Sequence, residues 1–105
     1  MPNVKRLDEA EIAKKLTSLS DWHVIDGALH REVKFRDFVE AFSFMTAAAL
    51  IAERMGHHPD WTNVYNKVNV RLTTHDAGGI SEKDFELAAE LSAILRSPDA
   101  PTASA

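Results

Sequence analysis

The segment 36–55, RDFVEAFSFMTAAALIAERM, constrains the fold more than any other part of the chain. Its apolar residues recur three and four positions apart, which predicts a long amphipathic helix. One apolar stripe is formed by Phe38, Ala41, Phe42, Met45, Ala48, Ala49 and Ala52. Phe44, Ile51 and Met55 widen the apolar arc to about half of the circumference. Because one core covers only one side of a helix, this arc needs additional cover.

A second subunit or the third helix of the same chain can provide that cover. We favour the subunit and expect a homodimer or homotetramer in which Phe44 or Ile51 is buried between subunits. Gly56 suits the left-handed position that ends a helix, and Pro59 prevents the helix from resuming. The two histidines between them are therefore predicted to lie on a loop.

Two more helices and four strands are predicted around this helix. Asp8 begins a first helix in LDEAEIAKKLTSL, and Ser81 with Asp84 begins a last one. The segment 22–35 is typical of a hairpin, because Asp26 and Gly27 suit a tight turn with positive φ. WTNVY and KVNVRLTT predict two further strands, the second with alternating apolar residues.

The resulting α-β-β-α-β-β-α order indicates an α+β fold, with three helices on one face of a four-stranded antiparallel sheet. The 105 residues suit a single domain, 1–105. The tail 97–105, SPDAPTASA, is expected to be flexible.

Composition excludes several classes of function. The net charge of −4 and the mixed charge pattern argue against direct nucleic-acid binding. The sequence lacks cysteine, which excludes disulfides and thiolate chemistry. No apolar run approaches the length of a membrane span. We therefore expect a cytoplasmic protein without membrane contact.

Three of the five histidines lie close together in sequence: His57, His58 and His75. Solvated histidines, a metal site and an acid/base site all fit this pattern. A metal is disfavoured because adjacent residues of an extended loop point to opposite sides, so that one ion could not easily reach both His57 and His58. Acid/base chemistry demands less, because imidazole titrates near neutral pH.

Several neighbouring side chains are candidates for the same site. Glu53 lies one helical turn before His57 and could orient an imidazole or bind a ligand; it could equally be a solvated carboxylate. Trp61 and Tyr65 could stack on a flat ligand or pack in the core. Asp84 has an alternative role as a helix cap. The two remaining histidines, at positions 23 and 30, are interpreted as surface residues.

The chain resembles the pterin-4a-carbinolamine dehydratases in the spacing of Glu53, His57-His58-Pro59, Tyr65, His75 and Asp84. FRDFVEAFSFMT is similar to the central helix of that family, and HHPDWTNVYNKV to its active-site loop and third strand. The resemblance extends from about Leu7 to Leu95. It implies dehydration of 4a-hydroxytetrahydropterins, with neither metal nor cofactor, in support of aromatic amino acid hydroxylases such as phenylalanine hydroxylase. It also implies oligomers built through sheet edges and the long helix.

The resemblance assigns roles to individual residues. It implies that His57, His58 and His75 are catalytic, and that Glu53, Pro59, Trp61 and Asp84 bind the substrate. Gly56 and Lys83 differ from the acidic residue and the arginine that animal members often carry there. Two alternatives remain open: a protein-interaction module, as animal members also provide to a transcription factor, and a pterin-binding protein with little activity.

Overall fold

The computed structural model describes residues 4–96 and, beyond them, the backbone of residues 103–104. The elements follow the order α1 (Glu9–Leu16), β1 (His23–Ile25), β2 (Ala28–Phe35), α2 (Phe38–Met55), β3 (Asp60–Val64), β4 (Lys67–Leu72), a 3-10 turn (His75–Ala77), α3 (Glu82–Arg96) and β5 (Ala103–Ser104). The predicted α+β order is confirmed, and the short β5 is additional. The prediction of a flexible tail falls, apart from β5, on residues outside the described part.

The sheet is antiparallel, with the strand order β1-β2-β4-β3, and β5 pairs with the end of β2. Asp26 and Gly27 have φ values of 49° and 74°, as predicted for the tight turn between β1 and β2. In the central pair, Val33 lies opposite Val68. The helices cover one face, whose buried side chains on β2 and β4 are Leu29, Val33, Phe35, Val68, Val70 and Leu72.

Helix α2 packs on this face through a narrower stripe than the sequence predicts. Its buried residues are Ala41, Phe44, Ala48 and Ala52. The small alanines let the helix approach the sheet closely, and the Phe44 ring packs against Phe35 with centroids 5.4 Å apart. The expectation that Phe44 is buried between subunits was wrong, because Phe44 is buried within its own chain. Ile51, the other residue expected there, is partly buried against the same core. Phe38 and Phe42 of the predicted stripe are half-exposed.

The other two helices complete the layer: α3 packs beside α2, and α1 contacts α3 through an ion pair of 2.7 Å between Lys15 and Glu82. Asp8 and Glu11 form the predicted reciprocal cap of α1, which ends at Leu16, one turn earlier than expected. Near the other end of the layer, Ser92 of α3 accepts a hydrogen bond of 3.0 Å from the indole of Trp22. Arg31 also contacts Ser92, at 3.3 Å, and burial lowers the pKa of its guanidinium. These contacts fix α3 against the sheet. None of the helices in the described residues has the length and apolarity to span a membrane.

Candidate active site

The end of α2 determines where the two adjacent histidines point. Gly56 adopts the left-handed conformation, with φ 66° and ψ 28°, and its N–H caps the last carbonyls of the helix. The His57 N–H still donates to the Ala52 carbonyl at 3.1 Å. The chain then continues to Pro59 without regular secondary structure. This geometry sends the two imidazoles to different carboxylates, in agreement with the prediction that they point to opposite sides.

His57 points inward and contacts Asp84 at the start of α3. The distance from His57 Nε2 to Asp84 Oδ1 is 2.6 Å, and the two side chains are 11% and 0% exposed. The other carboxylate oxygen, Oδ2, accepts hydrogen bonds from the Thr74 hydroxyl at 2.7 Å and the Ser81 N–H at 2.9 Å. Asp84 is thus both the predicted cap of α3 and the partner of a histidine.

His58 points outward and contacts Glu53, which lies on the last turn of α2. The distance from His58 Nε2 to Glu53 Oε1 is 2.8 Å. Here the side chains are 63% and 80% exposed. The sequence alone left open whether Glu53 would orient an imidazole or only be solvated, and the structure shows it in contact with one.

His75 begins the 3-10 turn that follows β4, and it is exposed. Thr74, one residue earlier, is buried and hydrogen-bonded to Asp84. The turn is closed by a bridge between Thr74 and Gly79. A side chain at position 79 would meet Arg6, whose Cδ lies 2.8 Å from the place of a Cβ atom, and Leu7 N–H donates to the Ile80 carbonyl at 2.8 Å. The N-terminal segment therefore packs directly on the turn that carries His75.

The two remaining predicted residues lie in the segment after the histidines. Pro59 is half-buried. Trp61 is also half-buried, lies opposite Val70 in the sheet and packs against the core. The alternative interpretation of Trp61 as a packing residue is therefore supported. Tyr65, by contrast, is 62% exposed in the turn between β3 and β4.

Sequence reasoning missed Thr74, and it gave Ser81 only a capping role. The two hydroxyls are 2.6 Å apart and both are buried. A signal for Thr74 was present: Val68, Val70 and Leu72 point inward along β4, and Thr74 continues the same alternation. A buried threonine hydroxyl needs a polar partner, and a nearby carboxylate is an obvious one.

This arrangement offers imidazoles in two environments, one buried and one accessible to solvent. An imidazole whose second nitrogen contacts a carboxylate is fixed in orientation and can give or take a proton at its other nitrogen. Among residues 4–96, no group of three or more His, Asp or Glu side chains is arranged to hold a metal ion. The two carboxylates thus orient one imidazole in a buried setting and one in an exposed setting.

Comparisons with known proteins identify the family. A model described as "Pterin 4 alpha carbinolamine dehydratase" matches residues 5–94, which include every predicted site residue. The chain belongs to this family. The resemblance noted in the sequence is therefore confirmed.

Individual relatives agree with the family model. A protein of Solibacter usitatus named "Putative pterin-4-alpha-carbinolamine dehydratase" is 60% identical over 89 residues, which cover 85% of this chain and 94% of that protein. A protein of the same name from Sinorhizobium fredii is 50% identical over 99 residues, with 90% and 94% covered.

A solved structure shares the fold. The crystal structure of a "transcriptional coactivator/pterin dehydratase" from Brucella melitensis matches with a TM-score of 0.82 and 44% identity. The match covers 85% of this chain and 97% of that one. The dehydratase fold described above is thus also found in a solved relative.

Proposed function

We propose that this member of the dehydratase family converts 4a-hydroxytetrahydropterin into quinonoid dihydropterin and water. The product returns, after reduction, to aromatic amino acid hydroxylases such as phenylalanine hydroxylase. The observation that carries the proposal is the pair of neighbouring histidines, each held by its own carboxylate at 2.6 and 2.8 Å. Membership of the family supplies the substrate class. We also propose a cytoplasmic location, since a chain without cysteine suits a reducing compartment.

The reaction needs only the transfer of two protons. A donor protonates the 4a-hydroxyl, and the bond between C4a and oxygen breaks with its electron pair leaving on water. A base removes the proton from N5, and the electrons of that N–H bond form the double bond between N5 and C4a. Nothing is oxidised or reduced overall, so two imidazoles in opposite protonation states can perform both transfers without a metal or a bound cofactor.

The exposed histidines suit these transfers best. His58 and His75 are both accessible to solvent, so each can exchange its proton with water between turnovers. We assign the acid and the base to this pair without deciding which is which. His57 is largely buried against Asp84 and is better suited to holding the pterin. Glu53 orients His58, and Pro59 and Trp61 complete the binding surface.

A direct assay tests the proposal. A hydroxylase generates 4a-hydroxytetrahydropterin, and its decay is followed by absorbance with and without this protein. We expect faster decay with the protein present, and the same rate after treatment with a chelator. An unchanged decay rate would contradict the dehydratase. Loss of activity with chelator and its return with zinc would contradict the metal-free mechanism.

A second candidate function is a protein-interaction module. Helix α2 carries the exposed apolar side chains of Val39, Phe42 and Leu50, at 70%, 52% and 70% exposure, and the Brucella melitensis relative is called a transcriptional coactivator as well as a dehydratase. These side chains suit contact with another copy of the chain, which gives the proposed homo-oligomer, or with a different protein. A variant that is altered on this face but keeps full dehydratase activity would show that the two functions are separate.

A further inference from the structure

Several hydrogen-bond donors surround the carboxylate of Asp84, and the direction of each hydrogen bond follows from its neighbours. Thr74 donates its only hydroxyl proton to Asp84 Oδ2 at 2.7 Å. The 2.6 Å contact between the hydroxyls of Thr74 and Ser81 must then be donated by Ser81. The Ser81 oxygen in turn accepts from the Lys83 N–H at 3.2 Å. A directed chain of donors therefore runs from the first turn of α3, through Ser81 and Thr74, to Oδ2.

This series of hydrogen bonds gives the two oxygens of Asp84 different partners. Oδ2 already accepts from Thr74 and from the Ser81 N–H. Oδ1 is left to His57 at 2.6 Å. Because an ionised carboxylate only accepts hydrogen bonds, His57 must carry a proton on Nε2. In the neutral ring, Nδ1 is then the nitrogen with a free lone pair.

We propose that Thr74, supported by Ser81, is a positioning residue that acts through Asp84 to fix the tautomer of His57. With Nε2 protonated, His57 presents Nδ1 as an acceptor for an N–H group of the bound pterin. The 11% exposure of the His57 side chain shows that the ring is not sealed from a ligand. The inference rests on the proposed function for the identity of that ligand, but the tautomer can be measured on the protein alone.

Removing the Thr74 hydroxyl should weaken the orientation of Asp84 and of the His57 ring. In Thr74→Val the Ser81 hydroxyl loses its acceptor, and Oδ2 keeps only the Ser81 N–H as a donor, so the Asp84 side chain is held less firmly in its rotamer. The neutral His57 ring is then expected to populate both tautomers. Since a hydrogen bond to a charged group is among the stronger ones, we expect KM to rise about tenfold while kcat changes much less.

The experiment compares Thr74→Val with two controls. Thr74→Ser keeps the hydroxyl and should behave as the unsubstituted protein. Thr73→Val removes a hydroxyl from the neighbouring residue, which donates to the Gly27 carbonyl at 3.2 Å instead. Ser81→Ala is a second test variant, with a smaller effect in the same direction, should Thr74→Val fail to fold by circular dichroism.

The decisive measurement is a long-range ¹H–¹⁵N spectrum of the imidazoles at a pH where the neutral rings are populated. Signals of His57 are assigned by their loss in His57→Gln. We expect Nε2 protonation in the unsubstituted protein and in both controls, and a mixture of tautomers in Thr74→Val. A ring protonated on Nδ1 would overturn the proposal, as would an unchanged spectrum and KM in Thr74→Val. If the protein lacks dehydratase activity, the spectra still decide the positioning role.

Discussion

Two pairs of the same chemistry lie on opposite sides of one short loop. His57 with Asp84 and His58 with Glu53 have almost the same separation, 2.6 and 2.8 Å. The first pair is buried, with exposures of 11% and 0%, and the second is open to water, with 63% and 80%. Adjacent residues of one type thus occupy contrasting environments.

Similar distances therefore do not give the two pairs similar properties, because their exposure to solvent differs. In water, the attraction between an imidazole and a carboxylate is weakened by solvent and by salt. A buried carboxylate has no water to replace a lost partner, so every donor around Asp84 matters. We therefore propose that the buried pair serves orientation, whereas the exposed pair is in contact with solvent and can exchange protons with it.

The largest effect is expected when an exposed histidine is removed. His58→Ala and His75→Ala should each lower kcat by about 10²–10⁴-fold, the range of positioned proton transfer. The double variant should be little worse than the poorer single one, because acid and base act as a unit. His57→Ala should instead raise KM more than it lowers kcat. Steady-state kinetics measure these effects, on samples whose folding has been checked by circular dichroism.

The result can contradict the division of labour in a definite way. Unchanged kcat in folded His58→Ala and His75→Ala would mean that these imidazoles are merely solvated. If only His57→Ala lowered kcat, the buried pair would be the one that transfers protons, and the proposed roles of the two pairs would be reversed.

The next largest effect concerns stability and compares the two carboxylates. Asp84→Ala leaves a hydroxyl, an N–H group and an imidazole without their acceptor, and should lower the free energy of unfolding by about 3–5 kcal/mol. Glu53→Ala removes an exposed partner and should cost less than about 1 kcal/mol. Urea unfolding of the two variants, measured side by side, gives both values. Equal losses would show that burial does not distinguish the pairs.

The smallest effect tests whether the exposed pair stays exposed in the oligomer. Glu53 lies on the same helix as Val39, Phe42 and Leu50. An interface on this face would therefore reduce the difference in solvent exposure between the two pairs. Phe42→Ala should weaken association about tenfold, seen as smaller species by light scattering. Phe44→Ala, with its ring in the core, should instead cost about 3–5 kcal/mol of stability. A protein that is monomeric at micromolar concentration would contradict the interface.

Most of the fold could be predicted because local rules and the global arrangement agree. Asp8 with Glu11, Asp26 with Gly27, and Gly56 each perform the task that their residue types favour. It was harder to predict which side of α2 faces the core. Its stripes of Phe and Ala are nearly equivalent in hydrophobicity, and only the fit of alanines against the sheet decides that Phe44 faces inward and Phe42 outward.

The sequence predicts a set of candidate site residues, but it does not predict which of their side chains contact each other. Histidine spacing and the family resemblance indicated the cluster. Which carboxylate meets which imidazole depends on where α3 begins relative to the end of α2, a tertiary relation that spacing does not encode. Thr74 was missed for the same reason, since its role appears only when β4 and α3 are brought together.

The contact between Leu7 and the carbonyl of Ile80 has a consequence for how the protein is made. The first described residues dock onto a turn near the other end of the chain, so a ribosome must release most of the polypeptide before the two can meet. The turn that carries His75 is therefore completed late, after the hairpins that can form locally. The hairpins of β1 with β2 and of β3 with β4 can thus form from neighbouring residues, whereas the packing of the N-terminal segment on the turn waits until Ile80 has been made.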